Sequence, residues 1–127
     1  MELEVGMYVR FDWKKQQLPI LIGKITEVHY DEDEKYYFYL TDNGLVIGED
    51  NLVKEPSFNP IDLIQVGDYV NGLKITLINE PSMANCYKRI VYAEDREGYL
   101  IESFNENDIK SIVTKEQFES MQYRIGE

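Results

Sequence analysis

The residues best suited to acid–base or metal chemistry lie next to His29, the only histidine in the sequence. It is followed by four acidic side chains, Asp31, Glu32, Asp33 and Glu34. Carboxylates beside an imidazole could bind a cation, but this run lacks the glycine and the distant bidentate glutamate of an EF-hand calcium loop. We therefore expect an exposed loop with no metal site, and these four carboxylates are candidates for contact with a partner instead.

Other enzyme signatures are missing from the sequence. Cys86 is the single cysteine, so neither an intrachain disulfide nor a cysteine-based metal site can form. A cysteine nucleophile needs a base to activate it, and no base lies near Cys86 in the sequence. The glycines are isolated rather than grouped in a phosphate-binding loop. The sequence therefore predicts a protein that is not an enzyme, with no catalytic residues and no cofactor.

A stronger candidate for binding is the segment at residues 11–22, which contains Trp13 and Lys14 and has no counterpart in the second half of the chain. Tryptophan is enriched among the residues that dominate the energy of protein interfaces. Trp13 could alternatively fold back over the open end of a barrel and close it. We favour this closing role, and Trp13 and Lys14 remain candidates for partner binding.

An aromatic segment at residues 36–40 raises a similar question. In a strand Tyr36, Phe38 and Leu40 share one side, and we consider the case in which that side faces the core. Tyr37 and Tyr39 then point outward. They would either pack between the two halves of the protein, which we favour, or form an exposed contact surface.

The protein is strongly acidic, with a net charge of −11 over 127 residues. The charge is spread along the chain and is not confined to a tail. Nucleic-acid phosphates and anionic membranes should repel such a surface, so we expect no direct binding to either. The acidity fits a basic protein partner, or serves only to keep the protein soluble.

An internal repeat organises the chain. The matched segments occur in the same order in both halves: VGMYV at residues 5–9 with VGDYV at 66–70, GKIT at 23–26 with KIT at 74–76, and EDNLVK at 49–54 with ENDIK at 106–110. This order indicates a duplicated domain, with halves at residues 1–57 and 61–127 that are separated by a proline-containing segment.

Both halves are predicted to consist of short strands joined by turns. Residues 5–11, 18–28, 36–40 and 45–47 have strand patterns in the first half, and Gly23 is the predicted site of a bulge. The second half repeats this pattern and adds a short helix that begins after Thr114, with Phe118 and Met121 on its buried side. We therefore predict an all-β protein of two tandem small SH3-like barrels with one short C-terminal helix, and residues 123–125 as a final strand.

Two segments of the second half, residues 61–72 and 108–119, resemble small uncharacterised proteins of phages and prophages of Firmicutes, the clostridial type in particular. The opening phrase of those proteins is matched by residues 5–10, and a following strand by residues 23–28. The resemblance covers nearly the whole chain and is weaker at residues 31–54 and 80–102. It implies a phage origin and expression in the bacterial cytoplasm, and it implies no activity and no catalytic residues.

These observations lead to three hypotheses. The preferred one is a phage-encoded module that binds a host protein, for example an acidic inhibitor of a host defence nuclease, whose basic channel would attract it. The second is a structural or assembly protein of the phage particle. The third, an enzyme or cation-binding protein that uses His29 and the carboxylates at residues 31–34, is the least favoured. The sequence does not identify the partner or the oligomeric state.

Overall fold

The computed structural model describes residues 3–13, 18–80, 89–94, 100–104 and 106–121, and for residues 100–103 it describes the backbone alone. The chain divides into two compact units, Met1–Leu63 and Ile64–Glu127. Antiparallel β-strands are the main elements of both units, and the described part of the chain contains one α-helix. The expectation of a mostly β protein with a short helix near the C-terminus is therefore confirmed.

The first unit contains a sheet of four antiparallel strands in the order β1-β2-β3-β4. Their bounds are β1 Tyr8–Phe11, β2 Leu21–Asp31, β3 Tyr36–Thr41 and β4 Val46–Ile47. A 3₁₀ turn at Glu49–Asn51 follows β4. The chain then returns to β1, where isolated bridges join Phe11 to Leu52 and Tyr8 to Ser57.

The core of the first unit lies on the inner face of this sheet. Val9 and Phe11 in β1 are fully buried, as alternation along a strand predicts, whereas residues 5–7 precede the strand and Val5 is exposed. They pack with Ile25 of β2 and Ile47 of β4. Arg10 lies between the two apolar residues and is also buried, and its guanidinium donates a hydrogen bond of 3.1 Å to the carbonyl oxygen of Leu63.

The second unit contains a five-stranded antiparallel sheet in the order β8-β7-β6-β5-β9. The bounds are β5 Tyr69–Val70, β6 Leu73–Asn79, β7 Ile90–Glu94, β8 Leu100–Ser103 and β9 Ile112–Val113. A 3₁₀ turn at Glu106–Asp108 lies between β8 and β9, and β9 pairs with β5. Among the described strands of this unit, the last therefore lies beside the first.

The sequence repeat corresponds to a repeated backbone structure. In the first unit the Gly6 amide donates to the Ile25 carbonyl over 2.8 Å, and in the second the Gly67 amide donates to the Ile75 carbonyl over 2.9 Å. Both glycines have a positive φ, +96° and +100°, a region that other residues rarely adopt. In each unit, pairing shifts register one residue after this isoleucine. Each unit thus begins with the same arch, which leads into a bulged second strand.

The helix, α1 (Lys115–Met121), begins as the sequence predicts. The Gln117 amide donates to Thr114 Oγ1 over 3.0 Å, and the Gln117 side chain accepts the Thr114 amide over 3.4 Å, which is a capping box. Phe118 stacks on Tyr69 of β5 at 4.1 Å between ring centroids. Met121, however, is the last residue of the helix and is 62% exposed, so its predicted burial is wrong.

Two further details of the prediction are wrong. Tyr39 is buried and faces the core with Thr41, whereas Tyr36 is exposed and Phe38 and Leu40 are only half-buried. A strand in which nearly every side chain is aromatic or apolar has no alternation that would identify its inner face. Gly23 pairs regularly with Val9, and the bulge lies instead between Ile25 and Glu27. The strand expected at residues 123–125 lies outside the described residues.

Candidate functional site

An open groove of about 1060 Å³ lies on the first unit. Its walls come from three places: the outer end of the β2–β3 hairpin, the segment from β4 through the 3₁₀ turn, and the loop that follows β1. Most of its lining residues are aromatic or acidic, and the others are Val46, Ile47, Gly48 and Asn51. The aromatic and acidic ones are Trp13, Asp31, Tyr36, Tyr37, Phe38, Glu49 and Asp50.

The hairpin wall extends beyond the core because β2 and β3 are paired to their outer ends. Tyr30 of β2 is opposite Tyr37 of β3, with ring centroids 4.8 Å apart, and Asp31 is opposite Tyr36. Tyr37 is 51% exposed. Cross-strand aromatic pairs stabilise such a ribbon, so the hairpin can present Tyr37 at the groove without support from the core.

Asp31 shapes the turn of this hairpin. Its Oδ1 atom accepts hydrogen bonds of 3.0 Å from the amides of Asp33 and Glu34, and its carbonyl oxygen accepts the Lys35 amide over 2.8 Å. An aspartate that bonds to the amides after it is a common builder of tight turns. Asp31 therefore has a structural role and also lines the groove.

The opposite wall is the 3₁₀ turn at Glu49–Asn51. The Asn51 side chain accepts the Gly48 amide over 2.8 Å and donates to the carbonyl oxygen of Asp12 over 3.2 Å. The buried phenol of Tyr39 donates to Glu49 Oε1 over 3.2 Å. The Glu49 carboxylate is consequently oriented by Tyr39, a side chain of the core, while Glu49 itself stays exposed.

Trp13 owes its position to the pairing of its neighbour with this turn. The Asp12 amide donates to the Asn51 carbonyl over 2.8 Å, which adds to the side-chain bond between the same two residues. Trp13 is half-buried and packs against the core cluster of the first unit. It also lines the groove, so the closing role and the binding role that the sequence suggests are compatible.

The charge of the groove is negative. Asp31, Glu49 and Asp50 line it, and no lysine or arginine lies among its described lining residues. A carboxylate near an aromatic face favours a cation, because the ring quadrupole and the negative charge attract it together. The groove is thus chemically suited to a positively charged, partly apolar ligand.

The structure brings together some of the predicted binding residues and separates others. Trp13, Asp31 and Tyr37 line one groove. Tyr39 is buried beneath it, so the prediction that Tyr39 points outward is wrong. Glu32, Asp33 and Glu34 are exposed in the hairpin turn, and Lys14 lies outside the described residues.

Sequence reasoning missed two acidic residues of the groove, Glu49 and Asp50. Both belong to a segment that the repeat had marked, EDNLVK, but the repeat carries no information about which side chains face a ligand. Phe38 was missed for a different reason, since it was assigned to the core.

His29 makes structural contacts. Its ring stacks on Phe38, with centroids 5.1 Å apart, and its Nε2 atom lies 3.9 Å from a carboxylate oxygen of Glu27. Among the residues that the structure describes, no group of three or more potential metal ligands is found. Cys86 lies outside those residues. The candidate site among the described residues is the groove.

Comparison of the chain with protein-family models, curated proteins and solved structures finds no match. Within the described ranges, no helix has the length and apolar character needed to cross a bilayer.

Proposed function

We propose that this protein is a non-enzymatic protein-binding module, and that the groove of its first unit binds a basic segment of a partner protein. The observation that carries the proposal is the lining of the groove, in which aromatic rings and three carboxylates occur together with no described lysine or arginine.

The aromatic and acidic groups would make different contributions to binding. Partly exposed ion pairs contribute only about 0.2–1 kcal/mol each, so the carboxylates would mainly select and orient a cation. Trp13 and Tyr37 can supply most of the buried area, as tryptophan and tyrosine do at other protein interfaces. Association should be fast and sensitive to salt, because a protein of net charge −11 attracts a basic partner over a distance.

We further propose that each unit is a small SH3-like barrel. Support comes from the order of the second sheet, in which the last strand pairs with the first after a 3₁₀ turn. In the first unit the bridges from Leu52 and Ser57 to β1 follow a 3₁₀ turn in the same way. Such barrels present their loops as binding surfaces on a rigid scaffold.

The resemblance to phage proteins suggests the biological setting. We propose that the protein is made in the bacterial cytoplasm and binds a host protein there, with a basic host defence nuclease as one such target. An inhibitor of this kind would act by electrostatic attraction to the channel that normally holds nucleic acid.

A structural or assembly role in the phage particle is the second candidate. It is favoured by the exposed apolar side chains of the hairpin, Val28, Tyr30 and Tyr37, which are between 37% and 51% exposed. Exposed apolar patches often mark contacts between proteins, including contacts between identical subunits.

The proposal can be tested by affinity purification from a lysate of the encoding bacterium with two matched variants. Glu49→Lys changes the groove, whereas Glu55→Lys makes the same charge change at an exposed residue outside it. We expect a stoichiometric basic partner at low salt (about 50 mM) that is lost at about 500 mM. That partner should be retained by Glu55→Lys and lost by Glu49→Lys.

Retention of the partner by both variants would exclude the groove as the binding site. Recovery of capsid or tail proteins, or of the protein alone as an oligomer, would favour the structural role.

A further inference from the structure

We propose that the groove selects arginine, with the Glu49 carboxylate as the group that recognises the guanidinium and Tyr39 as the residue that orients this carboxylate. The inference rests on the proposed function and specifies the chemistry of the bound segment.

A hydrogen bond from a buried side chain orients the carboxylate of Glu49. One of its oxygens, Oε1, accepts the hydrogen bond from the Tyr39 hydroxyl over 3.2 Å. Tyr39 is 2% exposed, so its ring cannot rotate freely to follow a moving carboxylate. Each carboxylate oxygen has two lone pairs, so both oxygens of Glu49 can still accept hydrogen bonds from a ligand.

An oriented carboxylate suits a guanidinium better than an ammonium. A guanidinium donates two parallel N–H bonds to one carboxylate, and this pairing requires the two planes to be aligned. An ammonium has no such requirement, because it is a compact charge with three rotating donors. Holding Glu49 in one orientation therefore lowers the entropic cost of binding arginine more than the cost of binding lysine.

The aromatic lining of the groove also favours arginine. Guanidinium groups are planar and weakly hydrated, and they stack on aromatic faces, whereas an ammonium keeps its hydration shell. Tyr37 is half-exposed at the groove and Trp13 is half-buried there, so each offers a ring surface to a ligand. The remaining carboxylates, Asp31 and Asp50, add negative charge that attracts either cation.

Trp13 also provides the fluorescence signal for a binding test, because it is the only tryptophan in the protein. Its fluorescence can be followed while the full chain is titrated with a short glycine–serine peptide that contains two arginines. Peptides with lysine or with citrulline at the same positions serve as comparisons. Citrulline keeps the shape of arginine and lacks its charge. We expect the arginine peptide to bind about ten-fold more tightly than the lysine peptide, and the citrulline peptide to bind most weakly.

Two variants test the roles of the named residues. Glu49→Gln keeps the size of the side chain and removes its charge, and we expect it to abolish the preference for arginine over lysine. Tyr39→Phe keeps the buried ring and removes the hydroxyl, and we expect it to reduce that preference by about three-fold or more while Glu49 stays charged. Thermal unfolding of both variants verifies that they fold, and a purely structural role of Tyr39 would leave the arginine-to-lysine ratio unchanged.

The outcomes separate this inference from the proposed function. Equal affinity for the arginine and lysine peptides, with citrulline weaker, would overturn arginine selection and leave a groove for basic segments. Equal affinity for all three peptides would overturn both proposals, since charge would then play no part. Absence of any fluorescence change up to millimolar peptide would also overturn both.

Discussion

Asp68 illustrates how one buried side chain joins two elements of the second unit. It is fully buried, and its two oxygens accept hydrogen bonds from the amides of Gln65, at 2.7 Å, and Lys115, at 3.0 Å. The first amide belongs to the arch that opens the unit and the second to the first turn of α1. In the first unit Met7 occupies the same position in the arch, and its sulfur lies 3.4 Å from the Glu4 amide. The exchange of methionine for aspartate thus accompanies the presence of the helix.

Replacing Asp68 with alanine should destabilise the protein by about 1–3 kcal/mol, because two partly buried hydrogen bonds would lose their buried acceptor. Asp68→Asn should cost less, since one side-chain oxygen remains to accept a hydrogen bond. Unfolding in urea measures both effects. Asp108→Ala is the control, because Asp108 is exposed and surface substitutions usually change stability by less than about 0.5 kcal/mol. Equal losses for Asp68→Ala and Asp108→Ala would contradict this role of Asp68.

At the scale of elements, the arch at the start of each unit determines how the first two strands meet. The amide of Ile25 donates to the Met7 carbonyl and that of Ile75 to the Asp68 carbonyl, both over 2.8 Å. The glycine before each acceptor provides the positive φ that the chain needs to turn into β1 or β5. The two arches therefore share one backbone geometry even where their side chains differ.

Gly6→Ala should consequently destabilise the first unit by about 1–3 kcal/mol, because alanine is strained at a φ of +96°. A clash is not the cause, since the nearest atom that its Cβ would meet is in Phe58 at 3.7 Å. Gly48→Ala is the control, because Gly48 has an ordinary extended φ of −112°. The one atom that its Cβ would approach closely is Asp50 Oδ1, at 2.8 Å, which is the end of an exposed side chain that can turn away. Thermal unfolding compares the two variants. If Gly48→Ala were less stable than Gly6→Ala, the argument from backbone strain would be refuted.

For the molecule as a whole, charge is the dominant property. Twenty-four acidic residues against thirteen basic ones create repulsion within the folded chain. The same excess that attracts a basic partner therefore opposes the compact state. Dissolved salt screens both interactions, and its effects on folding and on binding have opposite signs.

We expect the melting temperature to rise by a few degrees when salt increases from about 10 mM to about 500 mM, because screening weakens the repulsion among carboxylates. Over the same range the affinity for an arginine peptide should fall. Scanning calorimetry and the Trp13 titration measure the two trends on one protein sample. A melting temperature that falls with sodium chloride would show that favourable ion pairs, rather than repulsion, dominate the electrostatics of the folded state.

Local sequence was sufficient to predict most elements of the fold. Apolar and β-branched runs indicated the strands, and Thr114 indicated the start of the helix. These features depend on residues close together in the chain, and the structure has strands and a capped helix start in these regions. Repetition of short segments in the same order likewise revealed the duplicated arch.

Only the tertiary structure decided which residues meet at the groove. Asp12 and Asn51 are far apart in the chain, and their pairing is what brings Trp13 beside Glu49 and Asp50. The sequence also could not show which side of β3 faces the core, because its aromatic residues would suit either side of a sheet. Tyr39 could be buried since its hydroxyl reaches Glu49, a contact formed by the turn after β4. Sequence alone thus determined the elements and the charge, whereas long-range packing determined the site, because a site depends on contacts between residues that are distant along the chain.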